Sequence, residues 1–351
     1  YRTAAGETVP AALRAQLDAR AVPGAGSELR EVTAPLQVYC APFADGLFTV
    51  PIDPRIDRNR CSTLRPGEHL RVADATGPMW LVRAGYTMGW VVADEAAAAT
   101  ATAVEAAPTG NADGPPLTRR AFLTALFDLI GTPYGWGGTD GGRDCSRTVM
   151  DVFEAHGVEL PRFSGSQARA GSFSIDVSGV TREADKLRIF DAALRRGLVT
   201  LHFPGHVMVY LGRNADGTPM ALHSFAEYLA PCDEPEEGGD RDTLFEVDRV
   251  TVSDLELGRG SERRAFIERI TTVSVIGRSP GLELDGVAEV RPAAATAPGA
   301  GVQCAGDENA FLVVSPRQPN AEQPLRVVVT ATEDFGPVEI AFTDPDGRRH
   351  V

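Results

Sequence analysis

The chain has 351 residues, with 48 acidic side chains against 34 basic ones and a formal net charge of −14. That balance argues against nucleic acid as the main partner, because an acidic surface repels a polyanion, and no run reaches the ~18 to 20 apolar residues of a membrane span. The length exceeds what one hydrophobic core usually supports, so two or three domains are expected. The sequence starts at Tyr1 without an initiator methionine or a signal-peptide pattern, and reads as a mature or trimmed form.

From Glu31 to Asp94 the chain offers short segments rich in β-branched and aromatic residues, separated by Pro, Gly and Asp: Leu36 to Tyr39, His69 to Ala73, Trp80 to Ala84 and Gly89 to Val92. This pattern predicts a small β-barrel occupying residues 1–94 together with an N-terminal extension. Residues 95–116 are Ala, Thr, Pro, Gly and Asp with almost no large apolar side chain, and predict a linker long enough for either docking or free tethering. Leu117 to Ile130 restores helical periodicity, with Thr118 as N-cap, Phe122, Leu126, Leu129 and Ile130 on one face, and Gly131 and Pro133 as stops. A central domain is read over 117–290. After a second Ala/Pro/Gly linker, 300–351 alternates like an antiparallel sandwich of immunoglobulin type, incomplete where the chain ends.

Five cysteines are present and none belongs to a Cys-x-x-Cys pair, so neither a zinc site nor a redox dithiol is indicated, and no cofactor or metal is expected. Cys40 and Cys61 fit a disulfide and two buried free thiols equally well. Cys145 differs from the rest. It follows the glycine-rich run Gly131 to Gly138 and precedes Thr148, Val149, Val152 and Phe153 at helical spacing, which puts it at a helix start. There the free N–H groups and the helix dipole favour a thiolate. Such a nucleophile needs an imidazole to take its proton, and the imidazole needs a third group to fix its tautomer.

Of the six histidines, His206 begins the strand-like run His206 to Gly212, and His223 lies on the next strand after the turn Asn214 to Gly217. A hairpin there makes them neighbours on one face of a sheet, against which the Cys145 helix is expected to pack. His156 reads as a helix-end residue and His202 as a strand entrance, while His69 and His350 fall outside the domain. The acidic run Asp233 to Glu237 lacks calcium-loop spacing and reads as a solvated loop. Arg259, Arg263 and Arg264 read as an exposed charged helix face.

Pro133 to Gly138, Asp144-Cys145-Ser146, Leu160-Pro161-Arg162 with Ser164 to Gln167, Gly205-His206-Val207 and Leu222-His223 occur in one order over residues 117–230. This series resembles the NlpC family of papain-like cell-wall cysteine peptidases, and Trp80 to Val91 resembles the end of a bacterial SH3-like domain. The resemblance implies an α+β protein: a papain-like (NlpC-type) catalytic domain preceded by an SH3-like β-barrel and followed by a β-sandwich. It implies Cys145 as nucleophile, His206 as base and His223 as the orienting residue. Asp144 and Ser146 would hold the substrate's free amino terminus, Tyr134 would stand near the oxyanion, and Trp136 would contact substrate. The implied reaction is hydrolysis of amide bonds in peptidoglycan stem peptides, between γ-D-glutamate and a diamino acid, by a periplasmic or extracellular monomer. The alternatives are a related thiol amidase or acyltransferase and an inactive cell-wall-binding protein. Two departures stand out: Arg147 replaces the family's usual Gly, which brings a positive charge near the thiol, and Arg195 to Pro204 lacks the usual Pro-Gly-Asp entry.

Overall fold

The computed structural model describes residues 28–101 apart from positions 51 and 76, residues 115–232 and 242–277, four short strand segments beyond residue 309, and isolated positions near the N-terminus. The first module contains β1 (Glu28–Glu31), β2 (Leu36–Tyr39), β3 (Arg60–Leu64), β4 (His69–Asp74), β5 (Met79–Ala84), β6 (Met88–Val92) and helix α1 (Ala93–Ala99). Its strands form one antiparallel sheet in the order β1-β4-β5-β6-β2-β3. Leu36, Val38, Leu64, Leu70, Val82 and Val91 build its core.

Two strands go beyond the sequence expectation, β1 and β3, whose sequences ELRE and RCSTL are too polar to stand out. The alanine-rich stretch expected to be linker from Glu95 is instead helical as far as Ala99. The small side chains of Ala96 and Ala99 let the helix lie directly on the sheet's core, so the stretch packs although it has no large apolar residue. Residues 102–114 lie outside the described residues. Cys40 and Cys61 form a disulfide across a separation of 21 residues, with Cα atoms 5.2 Å apart. Closing a loop of that size stabilises by about 3 kcal/mol in the chain-entropy account.

The central domain opens with α2 (Arg119–Phe127), capped by Thr118, whose hydroxyl accepts from the Ala121 N–H. Phe122 and Leu126 are buried as the periodicity predicts, but Ile130 is exposed because the helix ends before it. There follow α3 (Cys145–Ala155), α4 (Ser164–Gln167), β7 (Phe173–Asp176), α5 (Glu183–Leu194), β8 (Gly197–Phe203), β9 (His206–Arg213), β10 (Pro219–Pro231), β11 (Asp242–Asp254), α6 (Phe266–Arg269) and β12 (Thr272–Gly277). The six strands form an antiparallel sheet in the order β11-β10-β9-β8-β12-β7.

Strand alternation splits this domain into two cores. Val207, Val209 and Leu222 pack with Phe122, Leu126, Val149 and Phe153 of α2 and α3. Met208, Tyr210, Ala221 and Phe225 face the other way, against Ile189 and Phe190 of α5 and Phe266 and Ile267 of α6. The expected charged helix face at Arg259, Arg263 and Arg264 is a series of turns; Arg259 pairs with Glu183 and Glu256, and Arg263 with Glu227.

The two modules are docked. Arg147 on α3, with 1% of its side chain exposed, donates to Glu68 at 2.9 Å, to the Tyr86 hydroxyl at 2.9 Å and to Asp151 at 2.7 Å. Asp151 also receives Arg65 at 2.9 Å and Arg143 at 2.7 Å. On another edge Arg55 of the first module reaches Glu227, Glu246 and Asp248 of the second.

Beyond residue 309, β13 (Ala310–Ser315) pairs with β14 (Arg326–Ala331) and β15 (Phe342–Thr343) with β16 (Arg349–His350); the expected turn at Pro345-Asp346-Gly347 lies outside the described residues. The remainder of the expected sandwich, the 295–301 linker and the acidic run at 233–237 lie outside the described residues. No helix among the described residues is long and apolar enough to cross a membrane.

Removing Arg147 leaves Glu68 without its cation at the module interface, while Asp151 keeps Arg65 and Arg143. Arg147→Met should cost about 3–5 kcal/mol of stability, measured by urea denaturation; an unchanged midpoint would show that the interface does not depend on this cation.

Candidate active site

Chain geometry brings Cys145 to the first turn of α3. The run Trp136–Gly141 makes tight turns in which Gly137 and Gly138 have φ of 68° and 80°, conformations that cost a side-chain-bearing residue dearly. A Cβ on Gly137 would lie 2.8 Å from the Arg60 carbonyl oxygen, so glycine also permits the close approach to β3. The Gly137 N–H donates to Asp144 Oδ2 at 3.0 Å, and Asp144 is the N-cap of α3, accepting from the Arg147 N–H at 2.8 Å.

His206 and His223 are joined by a hydrogen bond of 2.7 Å between Nε2 of the first and Nδ1 of the second. His223 Nε2 lies 2.8 Å from the Ser253 hydroxyl, which donates to the Asp254 carbonyl at 3.0 Å. That last bond is compatible with one polarity of the chain. Because the serine proton is committed to a carbonyl, its oxygen accepts from His223 Nε2–H. His223 Nδ1 must then accept from His206 Nε2–H, which leaves the lone pair of His206 on Nδ1, the nitrogen a general base needs. Cys145 Sγ lies 4.0 Å from the carbonyl oxygen of Gly205, the residue next to His206, and both Cys145 and His206 line one cleft of about 350 Å³.

The histidines occupy the face of the sheet that carries Phe225 and Phe266, with which their rings are in contact. Helix α3 packs on the opposite face, contrary to the expectation from sequence. The thiol therefore approaches the beginning of β9, at the Gly205 carbonyl, rather than a shared face of the sheet. Ser253 carried no signal in the sequence. It becomes visible only through register: β11 pairs Ser253 with Ala221, which puts it on the same face as His223 and diagonal to it.

Burial and the Asp144 charge push the Cys145 thiol up to about 12, against the Val207 and Ser146 N–H groups and Arg162, which favour the thiolate. Burial, with Arg269 and His202 nearby, pulls His206 down to about 3. The closed site thus rests as neutral thiol and neutral imidazole; desolvation outweighs the helix-start effect expected from sequence. Arg147 does not act on the thiol either, since its guanidinium turns away to Glu68, Tyr86 and Asp151.

Tyr134 and Trp136 line the cleft. Asp144 and Ser146 do not. Asp144 accepts from Ser146 Oγ at 3.0 Å and pairs through both oxygens with Arg162, at 3.0 and 2.5 Å, in addition to its two backbone bonds. Ser146 Oγ also accepts from Arg162 at 2.8 Å. With these partners the Asp144 carboxylate has no free position for a substrate amine, so its role is structural: it caps α3 and neutralises a buried arginine. Among the described residues no cluster of His, Cys, Asp and Glu is arranged to hold a metal ion.

Residues 131–240 match the NlpC/P60 family. This region is an NlpC/P60 domain. It accounts for just under a third of the chain and contains Cys145, His206 and His223, while Ser253 lies beyond the matched span. The chain is 38% identical over 85 residues to a γ-D-glutamyl-L-lysine dipeptidyl-peptidase of Bacillus subtilis, covering 24% of this chain and 26% of that protein. It is 30% identical over 136 residues to the peptidoglycan endopeptidase RipA of Mycobacterium tuberculosis, covering 32% and 26% of the two chains. The chain thus spans about a quarter of the length of these relatives. An NlpC/P60 endopeptidase from Photobacterium damselae subsp. piscicida shares the fold, with a TM-score of 0.58 and 14% identity over 80% of this chain and 81% of that one.

Two variants separate structural from orienting roles around the NlpC/P60 site. Asp144→Asn keeps a helix cap but strands Arg162, so stability should fall by about 3–5 kcal/mol, read from the thermal midpoint; a shift no larger than the loss of a cap would refute this. Ser253→Ala leaves the His223 N–H without an acceptor and should lower kcat about 10- to 100-fold with KM little changed, measured by steady-state kinetics.

Proposed function

We propose that this protein is a cell-wall cysteine endopeptidase that hydrolyses amide bonds of peptidoglycan stem peptides, with the bond between γ-D-glutamate and a diamino acid as its target. The observation that carries the reading is the hydrogen-bonded series His206–His223–Ser253, whose polarity leaves a basic Nδ1 on His206 beside a cysteine at a helix start. The names of the relatives supply the substrate class.

In this mechanism the substrate carbonyl enters the cleft between Tyr134 and His206. Because the thiol rests protonated, proton transfer from Sγ to His206 Nδ1 accompanies attack of sulfur on the carbonyl carbon. The N–H groups at the start of α3 and the Tyr134 hydroxyl, a neutral phenol because burial raises it far above its ordinary value, stabilise the oxyanion. His206, now imidazolium and held through His223, protonates the departing amine. Water then hydrolyses the thioester with His206 again as base.

The first module, read here as SH3-like, contributes the wall from Thr49 to Arg58, and so shapes what the cleft admits. The complete proton relay weighs against an inactive wall-binding protein. Site of action outside the cytoplasmic membrane follows from the substrate class and agrees with the Cys40–Cys61 disulfide.

Incubation with muropeptides should release new amino termini, and iodoacetamide should abolish the release; transfer products instead of hydrolysis would favour an acyltransferase. Cys145→Ala should lower kcat/KM by at least about four powers of ten, His206→Ala by nearly as much, and His223→Ala by a loss about ten- to a hundredfold smaller than that of His206→Ala. Appreciable hydrolysis by the Cys145→Ala variant would overturn the assignment.

A further inference from the structure

The charges lining the cleft fall into two groups. Its acids are already engaged: Asp53 pairs with Arg55 at 3.0 Å, and Glu227 pairs with Arg55 at 2.9 Å and Arg263 at 2.8 Å. Two of its arginines are not. Among the described residues, Arg58 and Arg269 have no carboxylate within ion-pair distance, although the chain as a whole is strongly acidic.

Both cations are held in place without having their charge spent. The Arg58 guanidinium lies 4.3 Å from the Trp136 ring centroid, and that of Arg269 lies 4.0 Å from the Phe203 ring centroid. Stacking on an aromatic face orients a guanidinium while leaving its in-plane N–H edge available, which is the edge that binds a carboxylate in bidentate fashion. The backbone beneath Arg58 is firm: its N–H donates to the Leu47 carbonyl at 2.7 Å, and the Asp57 carboxylate accepts from the Leu47 and Asn59 N–H groups at 2.9 Å each.

The two arginines stand on different sides of the reacting pair. Arg58 stacks on Trp136, in the glycine-rich run that leads into the Cys145 helix, and lines the cleft with Tyr134, so Arg58 belongs to the nucleophile's side. Arg269 stacks on Phe203 and Phe266, the rings packed against His206, so it belongs to the base's side. Since the base protonates the departing amine, the amine half of the substrate lies toward His206 and the acyl half toward Tyr134 and Trp136.

We propose that the cleft reads two carboxylates flanking the scissile amide: Arg58, with Trp136, takes a carboxylate on the acyl residue, and Arg269 takes one on the side chain of the amine residue. This rests on the peptidase reading above. For a γ-linked glutamate the first is the free α-carboxylate, and for the amine side it is the distal carboxylate of diaminopimelate, which lysine lacks. The enzyme therefore discriminates against stems whose glutamate is amidated and against lysine stems.

The test uses four synthetic stems, L-Ala-γ-D-Glu-X-D-Ala-amide with X as diaminopimelate or lysine, each with the glutamate α-carboxylate free or as carboxamide. The wild-type protein should prefer each free carboxylate by about 10- to 100-fold in kcat/KM. Arg58→Gln should bring the carboxylate-to-carboxamide ratio to within about twofold of unity while the diaminopimelate-to-lysine ratio persists, and Arg269→Gln should do the reverse. Because each readout is a ratio within one variant, a general loss of activity does not imitate the result. Turnover of all four stems without preference, or equal loss on all four in both variants, overturns the two-carboxylate inference and leaves the peptidase reading standing. Turnover of none by the wild-type protein overturns both.

Discussion

The Asp144 carboxylate is the constraint on which the rest of the site depends. It is buried, and burial alone would raise its pKa, yet Arg162, the Arg147 N–H and Ser146 together hold it below the ordinary carboxylate range. One group thereby fixes three things at once. It caps the helix that begins with Cys145, it holds the Gly137 N–H and with it the tight run that supplies Tyr134 and Trp136, and it neutralises Arg162. Arg162 continues outward to Ser62 of β3 at 3.0 Å, so the same network reaches the N-terminal sheet. An ion pair this deeply buried contributes little net stability against an apolar replacement, but breaking it on one side is costly. Its value lies in holding one geometry.

A second network does the same work between modules. Arg147, Glu68, Tyr86 and Asp151 form a buried polar cluster where two separately folded sheets meet. Alternating charges at such an interface specify a single docking orientation in a way that apolar contacts do not. The consequence for function is that the segment from Thr49 to Arg58 is a fixed wall of the cleft. The cleft is thus lined by donors from both modules, and the disulfide at Cys40 and Cys61 closes the loop that carries those of the first.

Within the site itself, the serine at the end of the histidine series converts a geometric arrangement into a chemical one. Two imidazoles in contact have several tautomers of similar energy, and only one leaves His206 Nδ1 basic. The 3.0 Å contact of the Ser253 hydroxyl with the Asp254 carbonyl is compatible with that tautomer. Burial disfavours the charged form of both the thiol and the imidazole.

Much of this was legible in the residues. Periodicity gave helix α2 with its Thr118 cap and the buried Phe122 and Leu126, and the hairpin of β9 and β10 followed from the turn Asn214 to Gly217. The glycine run, the helix start at Cys145 and the strands carrying the two histidines were legible because these residue types are tied to local backbone requirements: glycine to positive φ, a capping aspartate to a helix start, alternation to a strand. Tertiary structure alone decided the rest. Arg147 looked like a neighbour of the thiol because it is close in sequence, but one helical turn directs it to Glu68 and Asp151 instead. Asp144 looked free to bind an amine because its partner Arg162 comes from a later segment. Ser253, Arg58 and Arg269 carried no local pattern at all. Their roles depend on strand register and module docking, which are set by long-range contacts, and a linear sequence displays such contacts only after the chain has folded.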